Sequence, residues 1–291
     1  MSAIATPHPA ARGLKGIVLL IACALVVLPF LSVVSTSLAD PEQVAQAGGF
    51  VLWPEHPTLE AYRAVFAGDA VTQALLVSTG ITVVGTVLSL TCTAMLAYAL
   101  SRPGSFGAKP MLLTVLFTLL FSPGMIPSYL MVKQLGLLDS YWSLILPVLI
   151  NGFNVIVMRA FFMDLPGELM DSARIDGASE LTILLRIVLP LSKAVLAVIG
   201  LFYAVAYWNS FFTALLYMND TTKWPLQLVL RTYVVNGANL GGDQAGATEV
   251  LPPQQSLQMA ILVISIVPIL LVYPFLQRHF AKGVLVGAVK G

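Results

Sequence analysis

Charge is what this 291-residue chain has least of: only 10% of its residues are Asp, Glu, Lys or Arg, against 58% hydrophobic. Soluble globular proteins carry about 25% charged residues, so an ordinary water-soluble enzyme is excluded. The same shortage excludes a disordered chain, which is poor in apolar residues and rich in charge. A net charge of +1 leaves no clustered basic surface of the kind nucleic acid demands. Two cysteines build no disulfide framework. The three histidines, His8, His56 and His279, are far apart, and no His-Glu-x-x-His zinc motif occurs. A G-x-x-x-x-G-K-[ST] phosphate loop is also missing, so any work driven by ATP by that route has to enter through a partner. What remains is a multi-span membrane protein.

The missing charges have positions. Residues 16–39, 70–101, 110–132, 140–158, 194–219 and 250–277 contain no Asp, Glu, Lys or Arg. A helix crossing the hydrocarbon core needs about 20 mostly apolar residues, so six spans are expected. Eleven of the fifteen Lys and Arg fall in alternate segments: the N-terminal stretch, the connection after 101, the connection 159–193 and the end after 277. Cytoplasmic loops hold that excess. Both termini are therefore expected in the cytoplasm, with loops 40–69, 133–139 and 220–249 outside. Leu20-Ile21-Ala22-Cys23 behind Arg12 and Lys15 has the outline of a lipoprotein cleavage site. A cleaved signal ends at its short apolar core, whereas this run continues through Val26, Phe30 and Val34 to Leu38. An uncleaved first span is expected, with Cys23 and Cys92 as packing residues within spans.

No ionisable residue is left at membrane depth, which argues against a proton-driven carrier, whose relays are ionisable groups. Paired carboxylates for an intramembrane protease are missing as well. Uncharged polar groups are present. Asn151 and Asn154 lie in the fourth run, and Tyr203, Tyr207, Trp208 and Asn209 near the middle of the fifth. Ser122, Pro123, Gly124 and Pro127 interrupt the third. Aromatic faces beside amides suit a path for sugar; the same groups also suit hydrogen bonding between helices. Both readings stay open on the sequence. Trp53, Trp142 and Trp224 lie near span ends, as interfacial aromatics do.

Residues 159–193 differ from everything around them. Pro166 suits a first helical turn, so a short helix is expected from there to Asp176, closed by Gly177 in the left-handed conformation. Ser179 is an N-cap for a second helix. Leu181, Leu184, Leu185 and Val188 give that helix one apolar face, and Pro190 is expected to stop it. All five acids in the segments assigned to the cytoplasm, Asp164, Glu168, Asp171, Asp176 and Glu180, lie in this one connection.

Asp171-Ser172-Ala173, three residues, Gly177, nine residues, then Ile187-Val188-Leu189-Pro190 resembles the E-A-A-x3-G-x9-I-x-L-P loop of binding-protein-dependent ABC importer permeases. Asp171 replaces the usual Glu and Ser172 the first Ala; Glu168 sits one turn earlier. The stretch 121–129, Tyr207-Trp-Asn-Ser-Phe-Phe212 and Trp224-Pro-Leu-Gln227 look like the carbohydrate-uptake branch, and the ending 282–291 looks like its aldouronate-type subgroup.

The resemblance implies an all-α membrane protein of the type I ABC importer class: six transmembrane helices with a cytoplasmic helix-turn-helix coupling loop at 159–193. Residues 1–69 would hold the cytoplasmic N-terminus, first helix and first outer loop. Residues 70–277 would form the five-helix importer domain and 278–291 a cytoplasmic tail. Glu168, Asp171, Ser172, Ala173, Asp176, Gly177, Ile187 and Pro190 would couple to an ATPase. Implied partners are a second permease subunit, a cytoplasmic ATPase dimer and an extracytoplasmic solute-binding protein, with an oligosaccharide as cargo. The chain would have no cofactor and no catalytic residue of its own, ATP being bound by the partner. The same features would serve a polyol or sugar-phosphate importer; a secondary transporter or channel fits them less well. The outer segment Asn236-Gly-Ala-Asn-Leu-Gly-Gly242 offers polar contacts to a binding protein.

Overall fold

The computed structural model of the chain describes residues 9–234 and 253–288. The described residues form helices and connections, with no strand among them. In order they are α1 (Pro9–Leu38), α2 (Pro41–Gln46), α3 (Glu60–Ala67), α4 (Asp69–Ser101), α5 (Ala108–Leu120) and α6 (Met125–Gln134). Next come α7 (Trp142–Ile145), α8 (Gly152–Met163), α9 (Gly167–Ile175), α10 (Glu180–Ile183) and α11 (Leu189–Leu191). The last are α12 (Lys193–Trp208), α13 (Phe211–Tyr217), α14 (Leu226–Val234) and α15 (Gln254–Ala288).

Three stretches are single helices long and apolar enough to cross a bilayer: Leu14–Leu38, Asp69–Ser101 and Gln254–Val272. Two more qualify only as bent pairs, Trp142–Val148 with Gly152–Met163 at 52° and Glu180–Leu191 with Lys193–Trp208 at 87°. The charge-free run 110–132 is broken. α5 stops at Leu120, and α6 begins after Gly124, whose φ of +83° follows Pro123, a residue with no N–H to extend a helix. The described residues therefore hold three continuous crossing helices, or five if each bent pair is one, and α5 as a shorter apolar helix.

The chain folds as two compact units. In the first, residues up to Thr72 and Leu230–Val267, α1 is exposed along its apolar length, Leu20 at 70% and Leu25 at 71%. Cys23 is exposed with it, so it is not the packing residue expected from the sequence. Among the described side chains, α1 is held at its C-terminal end. Thr36 Oγ1 accepts from the Val51 amide at 2.9 Å, Ser35 Oγ donates to the Leu52 carbonyl at 2.9 Å, and Ser37 Oγ bonds Tyr62 Oη at 2.8 Å.

The second unit, Gln73–Val229 and the chain from Pro268, has its core where α4, α8, α12 and the 167–191 segment meet. Met158, Phe162, Ile183, Val188 and Ile199 are buried there. α4 and α12 approach so closely at Gly85 that a Cβ would lie 2.8 Å from the Tyr207 ring. The pair is pinned by two side-chain hydrogen bonds, Ser89 Oγ with Tyr207 Oη and Thr93 Oγ1 with Tyr203 Oη, both 2.7 Å. Such bonds between helices in a bilayer contribute about 0.6 kcal/mol each.

Pro190 does not stop its helix. The backbone widens into a π-turn over Leu184–Val188, where the Leu189 N–H reaches the Leu184 carbonyl five residues back. That extra residue accommodates a ring with no donor. The helix ends at Ser192, whose N–H bonds the Val188 and Leu189 carbonyls before α12 leaves at 87°. At the other end, α15 runs on to Ala288, so residues 278–288 are helical. Residues 235–252, including Asn236–Gly242, lie outside the described residues.

Candidate functional site

Two features of the second unit carry chemistry. The first is the hairpin of α9 and the helix that opens at Glu180. Ala178 N–H bonds the Ala173 carbonyl at 2.9 Å and Gly177 N–H the Arg174 carbonyl at 3.0 Å, while Gly177 sits at φ +81°. That pair of bonds closes a helix around a left-handed glycine. Ser179 Oγ then accepts from the Thr182 amide at 3.3 Å, capping the second helix. Met170, Ile183, Leu184 and Val188 are buried, and Ala173 and Ile187 pack beside them. One side of the hairpin is thus fixed to the core.

The other side is open. Glu168, Asp171, Ser172 and Asp176 are exposed, and Ile175 at the tip is 87% exposed. Ser172 Oγ donates back to the Glu168 carbonyl at 2.8 Å. Arg174 bridges Asp171 and Glu180, each at 3.0 Å. Exposed pairs of this kind are screened by solvent, so they orient the acids more than they stabilise the fold. A rigid, acidic surface with an apolar tip is suited to docking. Among the described residues no cluster of His, Cys, Asp or Glu could hold a metal.

The second feature is a groove of about 560 Å³ lined by α5, the connection leading into Gly152 of α8 and Leu96 of α4. Its polar groups are Thr114, Thr118 and Asn151, set among Met111, Leu119, Pro147 and Ile150. A second groove of about 360 Å³ shares Pro147 and adds Pro123, Pro127 and Ser128. No lining residue of either is charged. Size and lining fall within the range of small-molecule sites.

Of the polar residues singled out in the sequence, Asn151 lines the groove. Its side chain caps α8 by accepting from the Asn154 amide at 3.2 Å, and its own amide donates to Tyr203 Oη at 3.0 Å. Asn154, Tyr203, Tyr207 and Trp208 are buried. Tyr203 and Tyr207 use their hydroxyls between helices. Trp208 lines a small apolar pocket with Thr82, Val205 and Pro268. Asn209 is exposed and donates to the Val205 carbonyl at 2.9 Å. These six residues do not converge on one cavity.

Sequence reasoning missed Thr114 and Thr118; their only signal is four-residue spacing on one helix face. It also missed Asp139, which has φ +57° and accepts from the Asn219 and Asp220 amides. Those amides hold its carboxyl below the usual carboxylate range. Lys223 Nζ donates to the Asp139 carbonyl at 3.2 Å and pairs with Asp220 at 3.3 Å, completing a latch between 139 and 219–223.

Comparison with known proteins assigns the family. Residues 90–286 match the binding-protein-dependent transport system inner membrane component family. The polygalacturonan/rhamnogalacturonan transport system permease protein YtcP of Bacillus subtilis is 48% identical over 274 residues, 94% of this chain and 96% of that protein. Protein LplC of the same organism is 49% identical, over 92% of this chain and 90% of that one. Among solved structures, the crystal structure of a bacterial ABC transporter involved in import of the acidic polysaccharide alginate contains a chain 33% identical with a TM-score of 0.86. The match covers 94% of this chain and 100% of that one. The helical architecture is that of a type I ABC importer permease. The chain belongs to the binding-protein-dependent transport system inner membrane components, the ABC transporter permease subunits, which are not enzymes themselves.

Proposed function

We propose that this chain is one of two membrane subunits of an importer for an oligosaccharide containing uronic acid, driven by a cytoplasmic ATPase dimer and fed by an extracytoplasmic solute-binding protein. The observation that carries the reading is the hairpin: one face is anchored in the core, and the other is free, acidic and tipped by Ile175. Relatives named for polygalacturonan and alginate transport support the choice of cargo. Six crossings are assigned to the six charge-free runs, with both termini cytoplasmic and the importer domain over 70–277. In that topology Glu168, Asp171, Ser172, Ala173, Asp176 and Gly177 form the ATPase-facing turn, while Ile187 and Pro190 brace the following helix.

The neutral groove at Thr114, Thr118 and Asn151 is the wall this subunit offers to the cargo, hydroxyl and amide groups meeting sugar hydroxyls. Asn154, Tyr203 and Tyr207, buried between the helices, brace that wall from behind. Gentle solubilisation tests the assembly. A second permease and an ATPase are expected to co-purify, and the associated binding protein is expected to bind a digalacturonate by calorimetry. A binding protein that instead takes a polyol or sugar phosphate would redirect the substrate assignment while leaving the importer intact. Purification without any ATPase would overturn the reading.

A further inference from the structure

The cytoplasmic end assigned to α4 is tied to the hairpin by core packing and by one short hydrogen bond. Tyr98, buried with 7% exposure, donates its hydroxyl to Glu180 Oε2 at 2.5 Å, and Glu180 holds Arg174 through its other oxygen at 3.0 Å. The Arg102 guanidinium lies over the Tyr98 ring, 4.3 Å from its centroid, and reaches the Met170 sulfur. Arg159 Nε donates to the Leu100 carbonyl at 2.8 Å, bracing the same helix end from α8. Hairpin and helix end are therefore held as one body.

Higher on α4, Thr93 and Ser89 occupy positions five and nine residues before Tyr98, roughly 8 and 14 Å along the axis at 1.5 Å per residue. Both are fully buried, and both bond tyrosines of α12. Tyr203, the partner of Thr93, also accepts the amide of Asn151 at the groove. One stiff helix thus carries a hydroxyl contact to the hairpin at one end and a hydroxyl contact toward the groove at the other.

We propose that Tyr98 is a positioning residue: through it, displacement of the 167–191 hairpin is transmitted along α4 to Thr93, Tyr203 and the Asn151 end of the groove. This rests on the ATPase-docking reading of the hairpin. A packed helix moves as a unit, so a push on Glu180 reaches Thr93 through the Tyr98 bond. Coupling of this kind is read as a change in the linked equilibrium.

The test uses the assembled importer in a Cys23→Ser, Cys92→Ala background carrying Thr118→Cys in the groove. Labelling of that thiol by a membrane-impermeant maleimide is compared with and without ATP plus vanadate. The background importer is expected to show a nucleotide-dependent change in labelling rate. Tyr98→Phe keeps the ring under Arg102 and removes only the hydroxyl; it is expected to retain ATPase co-purification and ATP hydrolysis. Its nucleotide-dependent change should shrink about fivefold or more, the scale of a lost coupling between sites. Thr93→Val is expected to do the same from the other end. Glu180→Gln, which still offers an acceptor to Tyr98, should keep most of the change. An unaltered change in Tyr98→Phe and Thr93→Val would overturn the proposal. So would loss of ATPase co-purification in Tyr98→Phe with the change intact in Thr93→Val, since the bond would then only build the docking surface. Failure of the background importer to recruit an ATPase would count against the hairpin reading itself.

Discussion

At Gly177 the backbone stands at φ +81° with open space around the Cα, so a side chain there is opposed by conformation and not by contact. A β-branched residue is the least tolerant of that region. Gly177→Val is expected to leave the spans inserted and packed but to distort the hairpin turn, reducing ATPase recovered on co-purification. An unchanged yield would count against the turn's role. Gly85 is the opposite case, ordinary in conformation and short of space: its Cβ would meet the Tyr207 ring at 2.8 Å. Gly85→Val should force α4 and α12 apart at a cost of about 1–3 kcal/mol, read as a lower melting temperature in detergent. Asp139 makes a prediction about acid. Its carboxyl is held below its ordinary value of 3.8 by the Asp220 and Asn219 amides, so it favours the folded latch above that pH. The contribution is lost as pH falls through the lowered value. Asp139→Asn keeps the backbone, because Asn tolerates the left-handed region. The melting-temperature gap between the protein and this variant should therefore close under acid; a gap constant with pH would show the charge to be irrelevant.

Among the helices, lack of charge located the apolar runs and local residues located their ends. Ser179 and Gly177 were legible because a cap and a left-handed closure are local events, fixed by one side chain or by its absence. Pro123 and Gly124 likewise announced the break between α5 and α6. Pro190 misled because a proline's missing donor has two remedies, ending the helix or widening it, and the local sequence does not choose between them. The 52° and 87° bends were not legible, since run length and hydropathy are blind to direction. Nor was the groove. Asn151, Asn154, Tyr203 and Tyr207 look alike as polar groups at depth; helix rotation puts Asn151 on the groove and turns the tyrosine hydroxyls onto Ser89 and Thr93. Thr114 and Thr118 were hidden among apolar residues, marked only by their four-residue spacing. The Asp139 latch joins residues eighty apart in sequence, beyond any local pattern.

For the molecule as a whole, scarce charge and its placement belong to one design. Eleven of the fifteen cationic residues, and all acids on the same assigned side, fall in alternate connections. The acids gather in the one connection, 159–193, whose hairpin is fixed to the core on one side and open on the other. The permeases of this family are not enzymes themselves, so on the proposed docking reading that hairpin is where work done elsewhere enters. The most direct test is uptake of a labelled digalacturonate into proteoliposomes holding the permease pair and ATPase, with the binding protein outside and nucleotide inside. Uptake is expected to require ATP and the binding protein together, and to stop when the ATPase is removed. Uptake that survives without ATPase, or that follows a proton gradient instead, would overturn ATP-driven import.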